Sequence, residues 1–426
     1  KVLISKRING SQSIIKNISA IFHAYIVADK ILIRTNYKAN NYRVLSAPLG
    51  VHQTPLNEWN EFISESENLL QSLYITKDKI LAEYFINVSS KVVIFDFNGS
   101  SISEIPLPAY SNLIGVSTSR ESSEFFYGVE SLLFPKITYR YDPAKDTFTE
   151  YRKTENPINP IEYTLKQEWA VSKDGTKVSL FVVHRKDLVK SGEAPTVLYG
   201  YGGFKFSATS SFRRNIAPWL KRGGVFVVAN IRGGGEFGEA WHKGGIREQK
   251  QNTFDDFIAV AEYLIKENYT DKNHLGILGV SNGGLLVNAV ETQRPDLFRA
   301  VCAQVPLTDM VRFPLFGMAI RWVHEYGNPN TKEGFEKILE WSPYHNVKDG
   351  IEYPATLFVT GENDSRVNPL HSRKMAALLQ SVNRQNNIFI YTEQKTGHGT
   401  GKPLYKIVET NALMLTFFAK ELGLTL

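Results

Sequence analysis

A run of small residues between an apolar strand and an apolar helix places the tightest limit on how this sequence can fold. Residues 279–284 read Gly-Val-Ser-Asn-Gly-Gly, and the apolar runs 275–278 and 285–287 stand on either side. This pattern predicts a strand, a sharp turn and a helix, with a serine in the turn whose small neighbours leave its Oγ accessible. Because similar Gly-x-Ser-x-Gly runs occur in ordinary turns, the motif alone leaves both a nucleophile and a plain turn open.

Two further residues follow predicted strands in the order that an α/β-hydrolase requires. The apolar run 355–360 predicts a buried strand followed by Asp364, and the run 387–392 predicts a strand that leads to His398. Ser281, Asp364 and His398 occur in the chain order of α/β-hydrolase triads, which differs from the other two serine-protease orders. Alone, the aspartate fits a turn former and the histidine a loop residue. Together they predict a triad in which His398 takes the serine proton and Asp364 orients the imidazole.

Five strings of this sequence resemble the prolyl oligopeptidase family of serine peptidases. They are Leu-Tyr-Gly-Tyr-Gly-Gly-Phe at 198–204, Asn-Ile-Arg-Gly-Gly-Gly-Glu-Phe-Gly at 230–238, the serine run at 279–284, Asn-Asp-Ser-Arg-Val at 363–367 and Gly-His-Gly-Thr-Gly-Lys-Pro at 397–403. The resemblance implies an α/β fold, with an α/β-hydrolase catalytic domain preceded by part of a β-propeller. It also implies a serine endopeptidase that hydrolyses short peptides on the C-terminal side of proline through an acyl-enzyme.

The resemblance further implies an oxyanion hole. Tyr201 is similar to a tyrosine whose hydroxyl completes this hole, together with the backbone N–H of Asn282. The residue after the nucleophile opens a helix, where unpaired N–H groups and the helix dipole favour negative charge. Judged from the residues alone, a core aromatic at a strand end is the favoured interpretation of Tyr201.

The substrate pocket that the resemblance implies is apolar and aromatic. Trp322 and Tyr326 resemble the floor on which the substrate proline stacks, and their spacing of four predicts that they share one face of a helix. An ordinary pair of core residues would have the same spacing. Phe204, Leu307 and Val367 resemble the walls of this pocket, although the family commonly has another aliphatic residue at position 307.

Two charged residues beside this pocket leave alternatives open. Arg366 resembles the arginine that hydrogen-bonds the substrate backbone, and an exposed loop arginine is its alternative. Relatives that prefer arginine or lysine need carboxylates in the pocket. The sequence places none there convincingly, although Glu325 next to Tyr326 keeps this alternative open. The alternatives to a proline-specific enzyme are therefore a related oligopeptidase of other specificity, a broad esterase, or an inactive fragment that acts as a binding protein.

The pattern of the sequence changes near residue 155. Residues 1–155 hold short β-type runs that recur after 49 residues (31 to 80) and 45 residues (80 to 125), which predicts about three blades of a partial β-propeller, with an irregular β-sandwich as the alternative. Residues 156–426 alternate strands and helices and predict the hydrolase domain, including a helix that a capping box opens at Thr253. Since family members have a seven-bladed propeller, the sequence is either a fragment of a longer protein or has lost the N-terminal half. We expect a fragment, because an open propeller would leave an unpaired sheet edge exposed.

Composition argues against several other classes of function. With 426 residues, of which 42% are hydrophobic and 22% charged, the chain fits a globular enzyme with a large core. The net charge of +6 comes without a Lys/Arg-rich run, and no stretch is apolar enough to span a bilayer. Cys302 is the single cysteine, so no disulfide or cysteine metal site is predicted. Residues 233–235 lack the Lys-Ser/Thr of a phosphate loop, and we expect neither a cofactor nor a metal.

The expected partners are short proline-containing peptides, with no nucleic acid and no membrane, and the expected state is a monomer. The sequence begins at Lys1 without an initiator methionine or a signal peptide. We expect a cytoplasmic protein, with the periplasm as the alternative.

Overall fold

A computed structural model describes residues 3–7, 10–50, 55–384, 386–399 and 401–425. These residues form two compact units. The first unit contains the chain up to Asn156 together with Ser210–Phe212 and Glu236–Ala240, and the second contains Pro157–Thr209, Arg213–Gly235 and the chain from Trp241 onward.

Antiparallel strands build the described part of the first unit. The strands are β1 (Leu3–Arg7), β2 (Gly10–Ile15), β3 (Phe22–Val27), β4 (Lys30–Thr35), β5 (Arg43–Pro48), β6 (Asn60–Ile63), β7 (Leu69–Ile75), β8 (Ile80–Ile86), β9 (Ser89–Phe95), β10 (Ser101–Ile105), β11 (Asn112–Ser119), β12 (Ser122–Ser131), β13 (Phe134–Asp142) and β14 (Thr147–Lys153). Strand β1 pairs with β2, and the others form three four-stranded sheets, β3 to β6, β7 to β10 and β11 to β14, each in chain order.

The recurrence predicted from the sequence corresponds to equivalent strands of the three sheets. Positions 31, 80 and 125 lie in β4, β8 and β12, which are the second strands of their sheets. In β9 the more and less buried residues alternate along the strand, as a period of two requires when one face of a sheet is covered. Together with the family comparison reported below, this architecture confirms the prediction of a partial β-propeller.

The second unit contains a sheet of eight strands in the described residues. The strands are β15 (Tyr163–Val171), β16 (Lys177–Arg185), β17 (Thr196–Tyr199), β18 (Val225–Asn230), β19 (Leu275–Val280), β20 (Ala300–Gln304), β21 (Ala355–Gly361) and β22 (Ile388–Glu393). Their order is β15-β16-β18-β17-β19-β20-β21-β22, in which the β15–β16 and β16–β18 pairs are antiparallel and the remaining pairs are parallel. The α/β fold class is therefore confirmed.

The strand order creates a crevice beside β17. From β17 the chain passes to β18 on one side and later to β19 on the other, so the direction of winding reverses between β17 and β19. In open α/β sheets, ligands bind at such switch points, outside the carboxyl ends of the strands. The turn with Ser281 follows β19 directly, and Tyr201 lies just beyond the end of β17.

The described residues also form nine α-helices. They are α1 (Ala217–Lys221), α2 (Gly238–Lys243), α3 (Gln251–Lys266), α4 (Asn282–Gln293), α5 (Val323–Tyr326), α6 (Lys332–Trp341), α7 (Pro343–Asn346), α8 (Leu370–Val382) and α9 (Leu404–Leu422). Short 3-10 helices occur at Leu56–Glu58, Pro160–Glu162, Arg214–Ile216, Arg247–Gln249, Pro295–Leu297, Phe313–Leu315 and Gly317–Trp322. Among the described residues, none of the helices has the length and apolarity needed to cross a bilayer.

The central strands are buried on both faces, as expected for parallel strands between two layers of helices. Every residue of β17, β18 and β21 is buried. Helix α3 contributes Phe254 and Phe257 to the same apolar cluster as Leu198 of β17. Cys302 is fully buried in β20, and this burial raises the pKa of its thiol to about 12.

The predicted capping box at Thr253 is wrong. Helix α3 begins earlier, at Gln251, and no side chain caps it. Thr253 lies in the first turn, where its hydroxyl donates to the carbonyl oxygens of Arg232 (3.0 Å) and Gly245 (3.1 Å). The hydroxyl therefore donates to carbonyl oxygens outside the helix, whereas a capping box would have it accept from a backbone N–H of the helix itself.

Candidate active site

Ser281 occupies a strained turn between β19 and α4. Its φ of 59° and ψ of −115° are unusual for a residue with a Cβ atom. The chain comes so close to itself here that a Cβ atom added at Gly279 would lie 1.8 Å from the carbonyl oxygen of Gly283. Only glycine fits at position 279, which explains why the run predicted from the sequence contains it.

Hydrogen bonds fix this turn to the sheet and to the helix. The Ser281 N–H donates to the carbonyl oxygen of Gln304, at the end of β20, over 2.8 Å. The Ser281 carbonyl oxygen accepts from the N–H of Leu285 in α4 over 3.1 Å. The serine backbone is thus held on both sides, so that the position of Oγ depends on side-chain rotation alone.

His398 lies within hydrogen-bond distance of both other residues of the predicted triad. His398 Nε2 is 3.0 Å from Ser281 Oγ, and His398 Nδ1 is 2.6 Å from Asp364 Oδ2. With its proton on Nδ1, the imidazole donates to the carboxylate and accepts from the serine hydroxyl. Such an arrangement can move a proton from the serine to the histidine while the carboxylate stabilises the imidazolium that results.

Backbone groups orient the carboxylate of Asp364. Its Oδ1 accepts from the N–H groups of Arg366 and Val367, each over 2.9 Å, which leaves Oδ2 directed to His398. Only 5% of Asp364 is exposed. The carboxylate is therefore fixed by its own loop and shielded from water.

The loop that carries His398 is held against the end of β21. The N–H of Asn363 donates to the carbonyl oxygen of Thr396 over 2.9 Å. A Cβ atom added at Gly361 would lie 2.4 Å from the carbonyl oxygen of Gly397. The loops after β21 and β22 are therefore packed main chain against main chain, which brings Asp364 and His398 together.

Tyr201 and Ser281 line the same cavity, with the phenol next to the serine side chain. Burial raises the pKa of the Tyr201 phenol, and the nearby Tyr199 and Glu325 raise it further. The phenol therefore keeps its proton at neutral pH and can donate to a negatively charged oxygen formed next to Ser281.

The side chain of Asn282 connects two aromatic residues of the site. Its Nδ2 donates to the carbonyl oxygen of Tyr201 over 2.5 Å, and its Oδ1 accepts from the hydroxyl of Tyr326 over 2.9 Å. Asn282 is also the first residue of α4, where backbone N–H groups have no acceptor within the helix. The backbone N–H thus remains suitable for an oxyanion hole while the side chain has a separate, structural task.

A cavity of about 260 Å³ lies next to Ser281. Its lining residues are Tyr201, Phe204, Ser281, Leu307, Trp322, Tyr326 and Arg366. The predicted wall residue Val367 is not among them. Its N–H holds Asp364, as described above, and its side chain is buried in the apolar core, 3% exposed.

Aromatic rings meet edge to face along one side of this cavity. The Phe204 ring lies 6.4 Å from that of Trp322 at 78°, and 5.6 Å from that of Tyr326 at 89°. These are favourable geometries for aromatic pairs. The prediction that Trp322 and Tyr326 share the face of one helix is wrong, because a 3-10 helix ends at Trp322 and the four-residue α5 begins at Val323.

Glu325, which the sequence left as a candidate pocket carboxylate, lies behind the cavity. It is 1% exposed and is not among the described lining residues. Its Oε1 accepts from the N–H of Phe204 (2.6 Å) and its Oε2 is 2.9 Å from His242 Nε2. Burial alone would raise the pKa of Glu325, but the hydrogen bond from His242 and the charge of Lys250 outweigh it and lower the pKa.

Sequence reasoning missed Lys250. This residue precedes α3, is 1% exposed, and donates from Nζ to the carbonyl oxygen of Gly202 over 2.7 Å. A lysine before a helix is ordinarily solvated, so the sequence carries no signal of this contact. The described residues contain no group of three or more His, Cys, Asp or Glu side chains that could hold a metal ion.

Two protein-family sequence profiles match this chain. The profile described as "Prolyl oligopeptidase family" matches residues 210–425, and that described as "Prolyl oligopeptidase, N-terminal beta-propeller domain" matches residues 7–154. This chain belongs to the prolyl oligopeptidase family. The resemblance found in the sequence motifs is confirmed.

Similar proteins of this family are prolyl endopeptidases. That of Elizabethkingia meningoseptica is 36% identical over 399 residues, which cover 93% of this chain and 56% of the relative. That of Dictyostelium discoideum is 37% identical over 433 residues, covering 97% of this chain and 57% of the relative. The chain therefore spans a little over half the length of these relatives.

A solved structure from a study of two prolyl endopeptidases agrees with the fold. Its TM-score to this chain is 0.95, with 36% sequence identity, and the match covers 100% of this chain and 63% of the other. An identity of 36% agrees with membership of the same family, and not only with a shared sheet architecture.

Tyr326→Phe tests whether the hydrogen bond from the Tyr326 hydroxyl to the Asn282 carboxamide stabilises the fold. The variant keeps the ring but leaves the buried Oδ1 of Asn282 without its donor, which should lower the free energy of unfolding by about 1–3 kcal/mol. Thermal and denaturant unfolding followed by circular dichroism measure this change. The control is Tyr391→Phe, which removes a hydroxyl hydrogen bond to Glu409 at the exposed surface. Equal, small effects of the two variants would contradict the structural role of the Tyr326 hydroxyl.

Proposed function

We propose that this chain carries the catalytic centre of a serine endopeptidase that hydrolyses short peptides on the C-terminal side of proline. The observation that carries the proposal is the hydrogen-bonded series Asp364, His398, Ser281, whose serine lines a cavity rich in aromatic side chains. The names of the similar relatives, prolyl endopeptidases, support the same activity.

The first half of the reaction forms an acyl-enzyme. Ser281 Oγ attacks the carbonyl carbon of the scissile bond while His398 Nε2 takes the hydroxyl proton. The oxygen that becomes negative accepts hydrogen bonds from the Asn282 N–H and the Tyr201 hydroxyl, which are in place before charge develops. His398 then gives its proton to the leaving amine, and the C–N bond breaks.

The second half of the reaction repeats these steps with water. His398 takes a proton from a water molecule, whose oxygen attacks the acyl carbon. The tetrahedral oxyanion uses the same two donors, Tyr201 and Asn282. Return of the proton to Ser281 Oγ releases the carboxylic acid product and restores the free enzyme.

Proline suits the cavity for physical reasons. Its ring is compact, rigid and apolar, so stacking it on Trp322 buries area without freezing rotamers. Arg366, an exposed residue at the lining, is suited to hydrogen-bond the substrate backbone. Specificity for arginine or lysine is disfavoured, because Glu325 is buried and already accepts hydrogen bonds from Phe204 and His242.

A purely binding protein fits these observations less well. The strained backbone of Ser281 costs free energy, of the order of 1–3 kcal/mol for such conformations. Folding alone does not require that this strain coincide with a hydrogen-bonded histidine and aspartate. A nucleophile accounts for both features at once.

A fluorophosphonate probe tests the proposed nucleophile. We expect mass spectrometry to find the phosphonyl group on Ser281, and expect Ser281→Ala to abolish both labelling and peptide cleavage. Ser381→Ala, which changes an exposed serine of α8, is the matched control and should behave like the unsubstituted chain. Cleavage that survives in Ser281→Ala, with the probe attached elsewhere, would refute the assignment.

Paired peptide substrates test the specificity. Peptides with proline before the scissile bond should be cleaved with a far higher kcat/KM than the same peptides with arginine there. Loss of the indole in Trp322→Ala should lower kcat/KM for the proline peptide about ten- to a hundredfold, since burying a ring of this kind contributes about 1.5–3 kcal/mol. Trp169→Ala, in β15 and away from the cavity, is the control. A higher kcat/KM of the unsubstituted chain for the arginine peptide would instead support a related oligopeptidase that is specific for basic residues.

A further inference from the structure

Buried side chains hold the main chain of the loop 201–204, which carries two lining residues of the cavity. Lys250 Nζ donates to the carbonyl oxygen of Gly202 over 2.7 Å. Glu325 Oε1 accepts from the N–H of Phe204 over 2.6 Å. These contacts join residues that are 48 and 121 positions apart in the sequence.

The conformation of this loop needs such support. Gly202 and Phe204 have φ values of 63° and 55°, and Lys205, which follows the loop directly, has a φ of 57°. Residues with a Cβ atom rarely adopt this region, and the cost persists only where the surroundings impose the conformation. A loop with this backbone would relax to another conformation if the contacts on its inner side were removed.

Lys250 and Glu325 have no other evident task in the reaction. Each is 1% exposed, and the described residues that line the cavity include neither of them. Burial lowers the pKa of Lys250 to about 8, although the negative charge of Glu325 opposes this shift. A lysine and a glutamate buried at this depth are costly, which suggests that they are retained for the contacts they make.

We propose that Lys250 and Glu325 are positioning residues of the loop 201–204. They do not touch the substrate; they hold the loop so that the Tyr201 hydroxyl stays at Ser281 and the aromatic wall keeps its shape. This inference rests on the proposed function, since the reaction supplies its measurable consequence.

The inference predicts an alkaline loss of activity. The titratable groups that contact Lys250 or Glu325, or act on them through their charge, are Tyr326 of α5, His242 of α2 and Tyr201. The segments packed around them add His324 of α5, Arg247 and Glu248 of the preceding 3-10 helix, Asp255 and Asp256 of α3, and Glu333, Glu336, Lys337 and Glu340 of α6. Lys250 is an ammonium group below pH 8 and an amine above it. Because charge-assisted hydrogen bonds are about twice as strong as neutral ones, kcat/KM should fall about fivefold as the pH rises through about 8.

Two variants change this pH dependence in different ways. Lys250→Met has nothing to titrate, so its kcat/KM should be about fivefold or more below that of the unsubstituted chain at pH 7 and should show no decline near pH 8. Glu325→Gln keeps an acceptor for Phe204 but removes the charge that stabilises the ammonium. The pKa of Lys250 should fall further, and the decline should move to lower pH.

Glu291→Gln is the matched control. Glu291 is a fully buried carboxyl of α4 that accepts from the Thr356 hydroxyl, and burial raises its pKa to about 8. It therefore titrates in the same range as Lys250 but has no contact with the loop 201–204. Kinetics of the proline peptide between pH 6 and pH 10, with circular dichroism to verify folding, should give Glu291→Gln the profile of the unsubstituted chain.

The outcomes separate this inference from the proposed function. Two results would overturn the positioning roles: an alkaline decline of kcat/KM that vanishes in Glu291→Gln, or one that stays at the same pH in Lys250→Met and Glu325→Gln. Neither result would affect the proposed function, as long as the chain cleaves the peptide and the probe labels Ser281. If Lys250→Met does not fold, Glu325→Gln alone tests the positioning roles. A decline in kcat/KM that moves to lower pH supports them, and one that stays in place or moves to higher pH overturns them. An unsubstituted chain that is neither labelled nor active would overturn the proposed function, and the inference with it.

Discussion

The close approach of β19 to the start of α4 is the constraint on which the rest of the site depends. It forces Ser281 into a conformation with φ of 59°, which costs about 1–3 kcal/mol in general, and it admits only glycine at position 279. Hydrogen bonds to Gln304 and Leu285 keep the strained turn in place. The loops that carry Asp364 and His398 are arranged around this fixed point, so that His398 Nε2 lies within hydrogen-bond distance of Ser281 Oγ.

The parallel sheet brings these partners of Ser281 to one edge. Loops after β17, β19, β21 and β22 all leave the same edge of the sheet, and the reversal of winding beside β17 opens a crevice there. Asp364 and His398 are then held by main-chain contacts between their own loops. Behind the cavity, buried charges hold the loop 201–204 from the inner side, so the site combines an apolar lining with a polar support.

Features with a local pattern could be predicted from the sequence, and features made by distant contacts could not. The strand-turn-helix around Ser281 and the strands before Asp364 and His398 follow from apolar runs and glycine spacing, although the roles of these residues stay predictions. The domain boundary near residue 155 also stays a prediction. The buried contacts of Lys250 and Glu325 link positions far apart in the chain. The capping box at Thr253 is wrong because its hydroxyl donates to carbonyl oxygens outside the helix instead of accepting from a local N–H.

A crystal structure of this chain with a short peptide aldehyde that ends in proline would test the central claim most directly. The account predicts a covalent bond between Ser281 Oγ and the aldehyde carbon, and a pyrrolidine ring against Trp322. The former aldehyde oxygen should lie about 3 Å from both the Tyr201 hydroxyl and the Asn282 N–H. An aldehyde bound through another residue, or an oxygen that faces solvent while the proline ring lies outside the cavity, would contradict it.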